Sequence, residues 1–393
     1  MSLRRLPPVH SPITPESLVR GLRALTGRSK GRRAMGELSV WLERSFLAQR
    51  WHLVDSGTSA LRLALQHAAA GQDRPRVALP AYGCYDLATA CDGANLEVVL
   101  YDIDPLTLGP EWTSYEAALA TDPAVVVLVH LYGIPVDLDR ATALARARGV
   151  RVIEDAAQGA GGSWQGRALG SWGDYAVLSF GRGKGITGGG GGALLLHTEA
   201  ALRPALPPLP PATDGARRLL LILAQRELSR PWLYWIPASL PFLGLGETRY
   251  QAPHDPTAMA SASCGLLAGN LAEAVTEGEG RRRTAAHYAA ALRGNSQLAV
   301  PLVPRAGVAG YLRFPIIAAS LERAQRLIAA GTRWGVAPGY PLSLQDLPGF
   351  SRARSVEGKE LSGARLLAER LVTLPTYRHL TLADQDSVVG VAV

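Results

Sequence analysis

Short apolar runs recur through the first half of the chain, with helical patterns between them. Strands are expected at Arg76–Leu79, Leu96–Tyr101, Ala124–Leu131, Val150–Glu154, Tyr175–Phe180 and Ala193–His197. Residues 15–50 read as helical, as do Ser59–Ala70 and Leu138–Arg148. Buried strands separated by helices imply a mainly parallel sheet covered on both faces. Ligands of such sheets sit where strands give way to loops at their C-terminal ends.

The pattern changes after Ala201. A Pro-rich PALPPLPP leads to an apolar stretch around Leu219–Leu223, then to the uncharged WLYWIPASLPFLGLG at 232–246. From Met259 a long helix is expected to about Leu292, followed by a strand at Tyr311–Ala318, a helix at Leu321–Gly331, and a final helix and strand. The expected organisation is a large α/β domain over 1–252, with an N-terminal helical segment and an apolar insert at about 201–250. A smaller α+β domain follows over 253–393.

Composition narrows the function class. With 47% apolar and 19% charged residues, the 393-residue chain has ample material for cores. The net charge of +8 comes mostly from scattered arginines, without an aromatic-interleaved basic motif, so nucleic acid is not an expected partner. Three cysteines, Cys84, Cys91 and Cys264, without a CxxC spacing, argue against a disulfide framework and against a metal site. The basic N-terminus lacks the apolar core of a secretory leader, and no uncharged run is long enough to span a bilayer. A cytoplasmic location is expected, with possible attachment at a membrane surface.

The chemistry concentrates between Val150 and Leu196. One strand ends in Glu154-Asp155 and another in Ser179-Phe180; Lys184 follows five residues after Ser179, among glycines. Upstream, SGTSALRLAL reads as a strand-to-helix turn whose bare N–H groups suit a phosphate. A phosphate seat, a carboxylate at a strand end and a lysine on a flexible loop are what pyridoxal 5′-phosphate requires. Lys184-centred glycines also match GxGxxG by letter, but the segment after them reads as a strand where a dinucleotide fingerprint opens a helix. A P-loop fails too, since the positions it fixes are Leu178 and Gly185 here. The glycines are expected to let the backbone fold tightly beside a cofactor.

These residues resemble the DegT/DnrJ/StrS-type sugar aminotransferases of the aspartate-aminotransferase fold. The likeness runs through SGTSAL (56–61), the stretch from Pro80 to YDID, HLYG (130–133), EDAAQ (154–158), GSWGDYAVLSF (170–180), Lys184, YLRFP (311–315) and LPTY (374–377). It implies a three-layer large domain and a homodimer with active sites near the subunit boundary. It implies Lys184 as the cofactor-linked lysine, Asp155 as partner of the pyridine nitrogen and Gln158 beside the ring. Gly57, Thr58 and Ser179 would cradle the phosphate. His130 is expected to be structural.

The chain departs from the pattern in four places. Gly181 stands where His is usual, and Gly188 to Gly192 replace Thr-Gly-Glu-Gly-Gly. Cys84 occupies the usual ring-stacking position, so Tyr82 or Tyr85 is expected to stack instead. No Asn precedes the helix after Met259 to reach a partner's phosphate. The resemblance implies transfer of an amino group from a donor such as glutamate to a keto acceptor, typically a nucleotide-linked keto sugar. Aromatic and basic residues around 232–246 leave a second reading open: a membrane-surface protein of the same fold, either inactive or acting on a lipid-linked acceptor. Packing against the chain's own subunit interface is the simpler role for that segment.

Overall fold

The computed structural model describes residues 4–72, 75–240, 249–356 and 360–393. Its centre is an eight-stranded sheet. From edge to edge the strands are Arg50–Val54, Gly192–Leu196, Tyr175–Ser179, Arg151–Asp155, Val125–Val129, Arg76–Pro80, Glu97–Tyr101 and Ala353–Ser355. The pairings from Tyr175–Ser179 to Ala353–Ser355 are parallel; the two at the opposite edge are antiparallel. All six strands expected from the apolar runs are present within a residue or two. Every residue of Val125–Val129 and Gly192–Leu196 is buried, which requires cover on both faces. The fold is α/β with a mainly parallel sheet, as expected.

Four details differ from the sequence reading. Residues 15–50 are two helices, Pro15–Thr26 and Arg28–Phe46, followed by the strand Arg50–Val54. Gly27 ends the first helix and begins the second, in an extended conformation. The helix expected from Met259 to Leu292 is likewise two, Ser261–Asn270 and Glu273–Ala291. The strand Ala353–Ser355 was not anticipated; it returns from the C-terminal part to pair with Glu97–Tyr101. The chain also ends in a further helix, Leu382–Ala392.

A second hydrophobic cluster lies under a small antiparallel sheet built from Leu298–Ala299, Phe314–Ala318, Leu371–Leu374 and Ala337–Pro338. Leu344, Phe350 and Leu367 belong to the large cluster instead. The Asp102 carboxylate accepts from the amides of Gly363 and Ala364, tying the large sheet to the helix Ser362–Arg370.

Part of the insert lies within the described residues. A helix spans Gly215–Leu228 and a short turn of helix Trp235–Ala238; residues 241–246 of the apolar run lie outside the described residues. Ile222 is fully buried with Ile13 and Leu266, which contributes about 1.5–3 kcal/mol. Leu220 and Trp232 remain 68% and 65% exposed in the single chain. No helix among the described residues is long and apolar enough to cross a membrane.

Candidate active site

The Lys184 loop connects an antiparallel pair, Tyr175–Ser179 and Gly192–Leu196, whose ends meet at the Ser179–Gly192 register. It therefore leaves and re-enters the sheet beside the strand that ends in Asp155. A cavity of about 280 Å³ opens there, lined by Gly57, Thr58, Asp155, Gln158, Ser179 and Lys184 among others. Six of the expected site residues are thus gathered around one space. Lys184 makes no side-chain hydrogen bond or ion pair with another described residue, so its amine is free to react.

Glu154 and Asp155 are neighbours with opposite fates. Glu154 is fully buried, bonded to His130 Nε2 at 2.9 Å and to the amides of Gly170, Trp172 and Gly173. Burial raises its pKa, but these donors outweigh it and hold the carboxyl below its ordinary value. His130 Nδ1 accepts from the Val136 amide, which makes the histidine structural. Among the described residues Asp155 has one donor, the Ala157 amide at 2.9 Å. Burial pushes its carboxyl above the usual range, against the Ala157 bond and the charge of Lys184.

The far end of the cavity is a helix N-terminus. Ser56 caps Gly57–Ala69 by accepting from the Ser59 amide. A Cβ on Gly57 would lie 2.8 Å from Ser179 Cβ, so only glycine lets the turn approach that strand. Bare amides, the Thr58 and Ser179 hydroxyls and the helix dipole suit a phosphate. Hungry carboxylate, free amine and phosphate cradle together fit pyridoxal 5′-phosphate. Among the described residues no cluster of His, Cys, Asp or Glu could hold a metal.

The ring-side residues depart from expectation. Neither Tyr82 nor Tyr85 lines the cavity; Cys84 does. Both tyrosines are buried, and their hydroxyls accept from the amides of Tyr340 and Leu342. The turn after the strand Arg76–Pro80 directs both tyrosines to the segment 340–342 and leaves Cys84 at the cavity. Burial and nearby Asp86 push the Cys84 thiol up to about 12, so it presents a neutral, apolar surface. Gln158 does reach the wall, but its amide is engaged by the Tyr132 amide and the Tyr340 hydroxyl.

Sequence reasoning missed Asp55, Asp86 and Arg182, which also line this space. It missed Tyr132 as well, which lies just beyond, stacked on Tyr340 with 6.1 Å between rings. Tyr132 has a φ of 56°, a strained value for a bulky residue and a mark of functional neighbourhoods. The glycine run has a second purpose too. A Cβ on Gly189 would meet Ile222 at 2.1 Å, and one on Gly190 would meet Arg218 at 2.5 Å. The insert helix fills the space that side chains there would need.

The sequence matches the DegT/DnrJ/EryC1/StrS aminotransferase family over residues 44–205 and 253–392. The chain belongs to that family. Members of this family are aminotransferases that depend on pyridoxal 5′-phosphate. The chain is 38% identical over 148 residues to an L-glutamine:2-deoxy-scyllo-inosose aminotransferase of Streptoalloteichus tenebrarius, covering 38% of this chain and 35% of that protein. It is 34% identical over 147 residues to a UDP-N-acetyl-3-dehydro-alpha-D-glucosamine 3-aminotransferase of Acidithiobacillus ferrooxidans, covering 37% of this chain and 40% of that one. The matched stretches thus span little more than a third of these curated relatives. The fold is similar to the crystal structure of AtS13 from Actinomadura melliaura, with a TM-score of 0.75 at 22% identity over 99% of this chain and 98% of that one.

Proposed function

We propose that the chain is a pyridoxal 5′-phosphate-dependent aminotransferase that moves an amino group from glutamate or glutamine to a cyclic keto acceptor of the sugar or cyclitol class. The observation that carries this is the pairing of Lys184 and Asp155 across one cavity that ends in a helix N-terminus. Glutamine and the cyclitol acceptor follow the activity of the first relative and the keto-sugar acceptor that of the second, while glutamate follows the family resemblance.

Each residue has a stated task. Gly57, Thr58 and Ser179 hold the phosphate, and Asp155 keeps the pyridine nitrogen protonated. The bound cofactor supplies an electron sink. Lys184 Nζ takes the proton from the donor's α-carbon and returns one to the acceptor's former carbonyl carbon. Cys84 gives its side of the cavity a neutral thiol beside Asp86. Borohydride reduction of the yellow holoenzyme should fix one pyridoxyl group on Lys184. Label on another lysine would reject the assignment.

We also propose a homodimer that covers the exposed face of the insert around Leu220, Leu223 and Trp232. The same exposure gives the membrane-surface reading its support. Sedimentation with anionic liposomes separates the two, because a dimer contact leaves the protein in the supernatant.

A further inference from the structure

A second cavity of about 640 Å³ adjoins the cofactor cavity, and Arg182 lines both. Its volume suits a small-molecule ligand. One wall comes from the small domain and Tyr132. The other comes from Pro8 and Val9 of the N-terminal arm and from Leu221, Leu228 and Tyr234 of the insert. Residues 206–252 and those before 44 fall outside the family match. This wall is therefore built from segments that the family match does not cover, on a cavity that opens beside the Lys184 loop.

The lining has a definite chemistry. It is mostly apolar and aromatic, it contains Arg182 and Arg313, and it contains no Asp, Glu or Lys. Arg313 is buried and spends its guanidinium on neutral groups: the carbonyls of Pro8, Gly335 and Thr373 and the Thr373 hydroxyl. Burial lowers its pKa to about 10, which still leaves it charged at neutral pH. Arg182 makes no hydrogen bond or ion pair with a described residue. The phenol of Tyr234 feels both arginines and Arg5 as well. Within this lining two cations face no carboxylate, Asp55, Asp86 and Asp155 belonging to the adjoining cavity, and its walls offer apolar surface to a flat or ring-shaped body.

We propose that this cavity is the acceptor chamber, and that it selects a ring-bodied keto acceptor carrying an anionic group, carboxylate or phosphate, seated on Arg182. The assignment rests on the aminotransferase reading above. Arg182 is a specificity residue, and the arm and insert set the shape of what enters. A bidentate guanidinium–anion pair in such a setting discriminates by roughly tenfold or more against a neutral analogue.

The test uses the holoenzyme in its amine form, made with glutamate. Return of the original absorption band is followed with 3-oxocyclohexanecarboxylate and with cyclohexanone. The carboxylate should react at least about tenfold faster at equal concentration. Arg182→Ala should bring the ratio near one, and Arg182→Lys should keep most of it. A ratio within each variant cancels any general loss of activity. Should Arg182→Ala not turn over, calorimetry with benzoate against benzyl alcohol reads the same preference. Competition by UMP or by benzoate then shows whether a nucleotide phosphate or a carboxylate is the better anion. A wild type without charge preference, or a preference that survives in Arg182→Ala, overturns the proposal. Failure of glutamate to convert the wild-type holoenzyme would reject the aminotransferase reading instead.

Discussion

The two cavities meet at Arg182 yet are built on different principles. The cofactor cavity rests on strand ends of the large sheet, where positions are set by backbone register and by carboxylates with fixed donors. The larger cavity has one wall from the C-terminal part and Tyr132 and the other from the arm and the insert. Ile222 is fully buried, while the residues beside it, Leu221 and Leu223, are 57% and 40% exposed. The family match covers the strands and loops of the first cavity, whereas the arm and insert that wall the second fall outside it.

The sharpest way to break this contrast is Lys184→Ala. Loss of a positioned general base should lower turnover by about 10²–10⁴-fold, or abolish it, with the melting temperature unchanged. Residual turnover near wild type would remove the cofactor cavity from the mechanism. Asp155→Asn should bind cofactor but lose roughly 10- to 1000-fold in rate, from an ion-pair effect of about 1–3 pKa units.

The same variant carries a pH signature in the cofactor-free protein. The raised Asp155 pKa means that the fold holds a proton that the unfolded chain releases. Stability therefore falls as pH rises from the ordinary aspartate range through the raised value, and stays lower above it. Cofactor-free Asp155→Asn should melt above wild type at pH 7, with the gap closing below about pH 4. A gap independent of pH would show that burial of the charge is not its cause.

Substitutions on the other half should act through packing. Ile222→Ala removes a fully buried side chain and should cost about 2–5 kcal/mol of whichever unit unfolds with the insert. Gly189→Ala should cost about 1–3 kcal/mol, since its Cβ would meet Ile222 at a φ of 71°. Combined, the two should cost less than their sum; strict additivity in denaturant melts would mean that they do not touch. The smallest effect belongs to Trp232→Ser, within about 0.5 kcal/mol for the single chain because the side chain is largely exposed. A weaker self-association constant in that variant would show that a second copy covers it.

The legibility of the sequence follows the same division. That Lys184, Asp155 and Ser179 would gather beside neighbouring strand ends was readable because those ends are punctuated by runs such as VRVIED and YAVLSF. His130 was correctly read as structural. The strand Arg50–Val54 was not readable, since four residues after a long helical pattern carry no period of their own. The Tyr82 and Tyr85 assignment failed because alternation along a turn decides which side chain faces the cavity, and that depends on how the 340–342 segment folds back. Arg182 was hidden for a related reason: the cavity it shares with the insert depends on how a segment folds that the linear pattern registered only as apolar.

One hydroxyl bonds to both the insert and the Lys184 loop. Ser11 Oγ accepts from the Gly183 amide and from Gln225 Nε2, and Ser11 is buried. The arm, the insert and the residue just before Lys184 thus share a single latch. Undocking of the arm exposes the Gly183 amide, so its deuterium uptake is a clock for chamber opening. Occupancy of the chamber should slow that clock, giving a way to rank candidate acceptors without following any reaction.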